Sequence, residues 1–372
     1  MAALHDCFLT RTSSFLPGLN VANDQIETYL GSIAEEADVK KQVLRMNGIS
    51  GRHYAQDSSQ RPTHDVYQLG TNAAQSLFQR PTNESKRSGL PHATYLSAGT
   101  TFAPLAGPGI ATILHDRLGQ QGCLSHPVEL SSHAGICTSS AAAMVGAIRA
   151  VQTGDHRCAV CVGSEHASEV LKSSVFQVED DRHLHEDVRK SQWFMSVFLR
   201  FMLSDGAGAF LLQDQPDDDG CSLRVDWTHS MSFAPETELC MKMESRNARL
   251  TQDVTILSKY LVRFGKESLA DAMTKQGDSL DRYRVVLPHM SSFFFRRRME
   301  RILQEHSQTP DVPVPYWTNL QTLGNTGAAS IYLMLDQFLR KQQLDDGDRI
   351  LLFIPESGQF NFVLISLTAI VR

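Results

Sequence analysis

The chain has 372 residues, enough to bury a sizeable core in about two domain-sized halves. Hydrophobic residues make up 42% and charged residues 20%, the composition of an ordinary folded globular chain. A formal net charge of −6 argues against a nucleic-acid partner, and no apolar run reaches the roughly 18 residues that suggest a membrane span.

The opening segment MAALHDCFLTRTSS lacks a basic leader followed by a long apolar core, so the cytoplasm is the expected location. Seven cysteines form an odd set without zinc-ligand spacing, and no metal is expected. Cys158 and Cys161 lie in CAVCVGSE, which reads as a buried strand. Residues three apart in a strand face opposite ways, which argues against a redox pair.

In chain order, ATYLSAG at 93–99 reads as a strand, and residues 137–153 read as a buried alanine-rich helix that stops at Gly154. The strand CAVCVG follows at once, giving a helix-to-strand unit of an α/β fold. The segment 178–192, with His183 and His185, reads as a solvated charged stretch. FLRFMLSDGAGAFLLQ at 198–213 reads as two strands about a glycine turn, and the acidic QDQPDDDGCS as a boundary loop. YRVVLP and FVLISLTAIVR are further strands.

A second helix-to-strand unit starts at Asn325 and runs into RILLFI. It pairs Cys137-Thr138 with Asn325-Thr326, and Gly163-Ser164-Glu165 with Pro355-Glu356-Ser357. The chain therefore reads as duplicated, with halves at 1–215 and 222–372.

Cys137 stands where a helix begins, and a helix N-terminus favours the nucleophilic thiolate. GICTSSAAA around it resembles the nucleophile segment of the thiolase superfamily, in particular the β-ketoacyl-acyl-carrier-protein synthase III branch. LPHMSS at 287–292, GNTGAAS at 324–330, CVGSE at 161–165 and SDGAGAFLL at 204–212 match further landmarks of that branch in the right order. The resemblance implies a thiolase-like α/β fold of duplicated βαβαβ halves in five α-β-α-β-α layers. It also implies a homodimer.

For this chain the resemblance implies a catalytic set of Cys137, His289 and Asn325. Cys137 would accept an acyl group from a carrier thioester, with backbone N–H donors from Cys137 and the Gly358 turn holding the oxyanion. His289 and Asn325 would hold the enolate left when a malonyl thioester loses carbon dioxide. Claisen condensation would then give a β-ketoacyl product. No cofactor of its own is implied, since phosphopantetheine arrives on the acyl carrier protein as part of the substrate.

Several positions depart from the family pattern. Gln42 and Met46 fall where starter enzymes hold coenzyme A, which points to a carrier-bound acyl donor. Gly107 stands where a tunnel phenylalanine is usual, and Phe293, Phe294 and Phe295 follow the histidine motif, with Phe293 and Phe294 as tunnel candidates. Arg296, Arg297, Arg298 and Arg301 form a basic face suited to an acidic carrier, or a plain solvated face. Glu356 adds a carboxylate, read as a structural group in preference to a base.

These departures point to specialised lipid or polyketide assembly, including the joining of two acyl or β-ketoacyl chains as in dialkylresorcinol or cyclohexanedione formation. Two other readings stand beside it. One is an acyltransferase of the same fold using His289 as general base, and the other is a noncatalytic subunit of a heterodimer.

Overall fold

The computed structural model describes every residue except 1–3, 35, 80–91, 177, 245, 248 and 310. Residues 1–3, part of the segment read for a leader, lie outside the described residues. No described helix is long and apolar enough to cross a membrane.

Nine strands form the main sheet: β1 (Phe8–Phe15), β2 (Tyr95–Thr100), β3 (Glu129–Ala134), β4 (Cys158–Glu165), β5 (Gly206–Gln213), β6 (Cys221–Ser232), β7 (Val285–Pro288), β8 (Arg349–Glu356) and β9 (Asn361–Val371). Their spatial order is β7-β8-β9-β6-β1-β5-β4-β2-β3. Eight helices shape the layers and the site: α1 (Glu36–Asn47), α2 (Val66–Phe78), α3 (Ile110–Gln120), α4 (Ser139–Gln152), α5 (Gln192–Met202), α6 (Val254–Gln276), α7 (Arg296–Gln304) and α8 (Ser330–Lys341).

The order contains the same motif twice. In the first half, β2 runs parallel to β3 and β4, while β5 pairs antiparallel with both β4 and β1. In the second, β7 runs parallel to β8 and bridges in parallel to Tyr316, while β9 pairs antiparallel with both β8 and β6. The halves meet where Phe8 and Leu9 of β1 pair with Arg224 and Leu223 of β6. β4 and β8 are each eight residues long and each ends in a glutamate. Their topology thus equates Glu165 with Glu356, one place away from the pairing drawn from the sequence.

Burial explains the layers. α2 and α3 cover the outer face of the first half-sheet, α4 and α8 lie between the half-sheets, and α6 and α7 cover the second. The result is the five-layered thiolase-like arrangement expected from the motifs. The central helices are buried nearly all round, so α4 carries Ala141, Ala143 and Ala147 beside Met144, Ile148 and Val151 rather than a polar face. Removing Ile148 to alanine would cost about 2–5 kcal/mol. α4 ends at Gln152, and Gly154 takes φ +83°, a conformation a side chain would strain.

Cys158 packs with the outer helices and Cys161 with the central ones, the opposite-face placement read from their spacing. The reading of 198–213 as two strands is corrected. Residues 192–202 form α5, whose start is capped by Ser191 Oγ accepting from Phe194 N at 3.1 Å. Only Gly206–Gln213 is a strand. The polar residues Gln192, Ser196 and Arg200 recur at helical spacing, but a segment that starts at Phe198 contains only the last of them and excludes the cap at Ser191.

Candidate active site

Cys137 follows β3 and His289 follows β7, so both stand at the C-terminal ends of parallel strands, where open α/β sheets place their ligands. α4 approaches its sheet closely because Gly99 carries no side chain; a Cβ there would lie 2.5 Å from Ser140 N. The helix itself starts at Ser139, so Cys137 stands two residues ahead of it rather than at its head.

The start of α4 is tied to the start of α8. Ser140 Oγ donates to Ala328 O, and Tyr332 OH donates to Ser140 O at 2.8 Å. Asn325 is locked into this junction by its backbone, with its N–H on Met202 O at 2.9 Å and its carbonyl accepting from Ser204 N at 2.9 Å. Its Oδ1 accepts from Gly327 N at 2.9 Å, which caps the turn leading into α8. The amide Nδ2 makes no hydrogen bond to another described residue. Asn325 thus combines a capping oxygen with a donor left for something else.

His289 is 3% exposed, and its N–H donates to Phe353 O at 2.8 Å. Burial alone pulls its imidazole down to about 4, so it is neutral at neutral pH and carries one ring proton to donate. Nδ1 is buried without a partner among the described residues.

Cys137 is half-buried, and its thiol is pushed well above the ordinary range, first by burial and then by the carboxylates of Glu356 and Glu165. Burial and these carboxylates oppose the thiolate that the helix start was expected to favour, while its own backbone N–H works the other way.

Those two carboxylates are related by the duplication. Glu356 Oε2 accepts from both the N–H (2.9 Å) and the hydroxyl of Thr138, while Asn361 Nδ2 donates to that hydroxyl at 2.9 Å. Glu165 Oε2 accepts from Ala328 N at 3.0 Å and Thr101 Oγ1 at 2.6 Å. Each half supplies a carboxylate to the helix start of the other, which supports the structural reading of Glu356. Glu165 is fully enclosed and burial raises it to about 7.

Cys137 and His289 line one narrow cavity, whose free volume is about 50 Å³. Its walls are largely apolar, from Leu257, Leu261 and Val262 of α6, Met299 and Ile302 of α7, and Phe353 and Phe362 of the sheet. Gln252, Ser291 and Phe295 are shared with an adjoining pocket, which Met46, Asp187, Arg189, Lys190 and Phe294 also line.

The remaining candidates separate. Gly358 N is uncommitted among the described residues and the turn passes beside Cys137, since a Cβ on Gly358 would lie 3.1 Å from Ile136 Cγ1. Phe293–Phe295 form a 3-10 turn ahead of α7, so Phe295 lines both pockets, Phe294 only the adjoining one, and Phe293 packs on Gly48 and the core. Phe293 is therefore withdrawn as a tunnel residue. Gly107 sits on an exposed loop, clear of this cavity. Arg296, Arg297 and Arg301 are exposed, with Arg296 paired to Glu300 at 3.2 Å; Arg298 instead turns into the cavity.

Sequence reasoning missed the wall from α6; it placed Arg298 on the basic carrier-facing face and named Phe295 in the triplet without choosing it for the tunnel. It also assigned nothing to Arg189 and Lys190, which only their charge could have signalled.

Solved structures extend this geometry. A tetronic acid condensing enzyme, AbyA1, matches over 97% of this chain and 99% of its own, with TM-score 0.74 and 19% identity. OleA from Xanthomonas campestris matches over 99% and 100%, with TM-score 0.74 and 17% identity. The 3-oxoacyl-(acyl carrier protein) synthase III, FabH, of Pseudomonas aeruginosa PAO1 matches over 98% of both chains, with TM-score 0.71 and 19% identity. The scaffold thus has the same thiolase-like fold as these proteins. Residues 276–355, which include His289 and Asn325, match the family described as 3-oxoacyl-[acyl-carrier-protein (ACP)] synthase III C terminal.

Proposed function

We propose that the chain is a ketosynthase that joins a Cys137-bound acyl group to a second thioester by Claisen condensation. The observation that carries this reading is the shared apolar-walled cavity of Cys137 and His289, with the Asn325 helix start tied to that of the cysteine. On this reading residues 1–215 supply the nucleophile and 222–372 the histidine and asparagine.

In the first step the Cys137 sulfur attacks the carrier thioester, the acyl–sulfur bond of the carrier breaks, and the thiol proton of Cys137 passes to the departing carrier thiolate. The backbone N–H groups of Cys137 and Gly358 suit the transient oxyanion. In the second step a malonyl thioester loses carbon dioxide and leaves an enolate. The imidazole N–H of His289 and the Asn325 amide suit that oxygen. The enolate carbon attacks the acyl-Cys137 carbonyl, the thiolate leaves and takes up a proton, and a β-ketoacyl thioester departs.

Burial favours condensation over simple acyl transfer to a hydroxyl or amine. A histidine lowered to about 4 is a weak general base near neutrality, yet a good neutral donor.

The adjoining pocket suits a phosphopantetheine arm, with Arg189 and Lys190 near its phosphate and Arg296, Arg297 and Arg301 available to an acidic carrier. β3 lies at one end of the sheet with several exposed residues, which supports pairing with a second copy.

Intact-mass analysis after incubation with a panel of acyl-carrier thioesters tests the reading. Adducts on the native chain but not on Cys137→Ala, followed by carbon dioxide release with malonyl-carrier, are expected. Transfer of the acyl group to an alcohol or amine without carbon dioxide would establish the acyltransferase instead.

A further inference from the structure

We propose that Arg298 is an anion anchor within the acyl cavity, and that the acyl group held by Cys137 bears a carboxylate. This rests on the assignment of Cys137 as the acylated residue.

Arg298 lines the same cavity as Cys137 and His289. Its Nη1 is buried and has no hydrogen-bond partner among the described residues. The guanidinium carbon lies 5.2 Å from the Phe294 ring centroid and 5.6 Å from that of Phe295, so two aromatic faces hold it in place without neutralising it. Among the described residues, no Asp or Glu lines the cavity. The residues one helical turn away, Phe294, Phe295, Arg301 and Ile302, offer no acid either, whereas Arg296 has Glu300.

Arg298 is half-buried, and its enclosed Nη1, in a wall shared with Leu261, Met299 and Ile302, lacks the hydrogen-bond partner that a buried donor normally requires. A carboxylate supplies it, because its two oxygens match the guanidinium N–H groups. An unsubstituted fatty chain would leave Nη1 unsatisfied against an apolar wall.

The anion belongs to the acyl chain rather than to a malonyl carboxylate. Pairing the latter with arginine would stabilise the ground state that must expel carbon dioxide and so would slow the reaction. A carboxylate that persists through catalysis gains binding without that cost. Charge-assisted hydrogen bonds of about 1.5–3 kcal/mol correspond to roughly tenfold to hundredfold in affinity.

Calorimetric binding of a homologous series of linear dicarboxylic acids, each as its monomethyl and its dimethyl ester, tests the anchor without requiring catalysis. At the favoured chain length the monomethyl ester should bind at least about tenfold tighter than the dimethyl ester. Arg298→Leu should abolish the difference and Arg298→Lys should keep part of it, with thermal unfolding confirming that both variants fold. Equal affinities in the native protein, or a preference that survives Arg298→Leu, overturn the anchor.

Acylation by the corresponding carboxyl-terminated thioesters, followed by intact mass, separates the two levels. Ester discrimination without any adduct on Cys137 removes the nucleophile assignment while the anion site stands. If Arg298→Leu raises KM for malonyl thioester and leaves acylation rates unchanged, the carboxylate belongs to the second substrate and the acyl-chain assignment falls.

Discussion

Glu356, the last residue of β8, accepts the N–H of Thr138 at 2.9 Å together with its hydroxyl, so a carboxylate from one half of the fold sits beside the residue following Cys137 in the other. Its negative charge is one of the causes that push the neighbouring thiol up. Glu356→Gln keeps an oxygen for Thr138 and removes the charge. The pH midpoint for iodoacetamide alkylation of Cys137 should then move down, and an unmoved midpoint would show that burial alone sets the thiol. Glu356→Ala, which leaves both Thr138 donors without that acceptor, should also cost about 1–3 kcal/mol of stability.

Asn325 offers two separable groups, a capping oxygen and an amide donor without a partner among the described residues. Asn325→Ser retains a side-chain oxygen able to cap Gly327 N, and loses the amide donor. Its melting temperature should stay near that of the native protein, while malonyl-thioester decarboxylation falls by about 10²–10³, as for loss of one oxyanion donor. Acylation of Cys137 should continue. A decarboxylation rate within about twofold of native would assign the residue to capping alone.

His289 should set the acid limit of turnover near pH 4 rather than near its ordinary value of 6.5. The sign for stability follows from the same depression. Between about 6.5 and 4 the unfolded chain takes up a proton that the folded chain refuses, so this group withdraws stability as pH falls through that window. Titration of the imidazole by NMR checks the position directly, and an apparent value near 6.5 would contradict the burial argument.

Glu165 acts in the opposite direction. Its carboxyl is raised from 4.5 to about 7, so the stability associated with its protonated form is present below 4.5 and lost as pH rises through 7. Glu165→Gln keeps acceptor capacity for Ala328 N and Thr101 Oγ1 and cannot ionise. Urea midpoints at acidic and mildly alkaline pH should therefore lie closer together in the variant than in the native protein. An identical spread in both would remove Glu165 as the cause.

The parts of this architecture written in local sequence were readable without coordinates. The small residues of α4, the repeated helix-to-strand units and the motifs at Cys137, His289 and Asn325 are all contiguous, and the topology repeats as those units require. What could not be read was orientation within short runs. Phe293, Phe294, Phe295 and Arg298 change their facing when three residues form a 3-10 turn instead of the first turn of a helix. The cavity wall was equally hidden, because Leu257, Leu261 and Val262 come from a helix more than a hundred residues from Cys137, and nothing in their own neighbourhood marks them as facing it. The helix 192–202 was missed for a third reason: its period lies in Gln192, Ser196 and Arg200, and the stretch beginning at Phe198 holds only the last of them.

The exchange of carboxylates between halves also bears on the order in which this molecule can become reactive. A first half folded on its own would present Cys137 without the Glu356 oxygen that completes the α4 start and without the β8 to β9 turn that lies against Ile136. The second half alone would lack the Glu165 oxygen at Ala328 and the Leu203 segment that bridges to Asn325. Neither helix start is therefore complete by itself: each takes a carboxylate oxygen from the other half, so the surroundings of Cys137 and of Asn325 exist only once the two halves are docked.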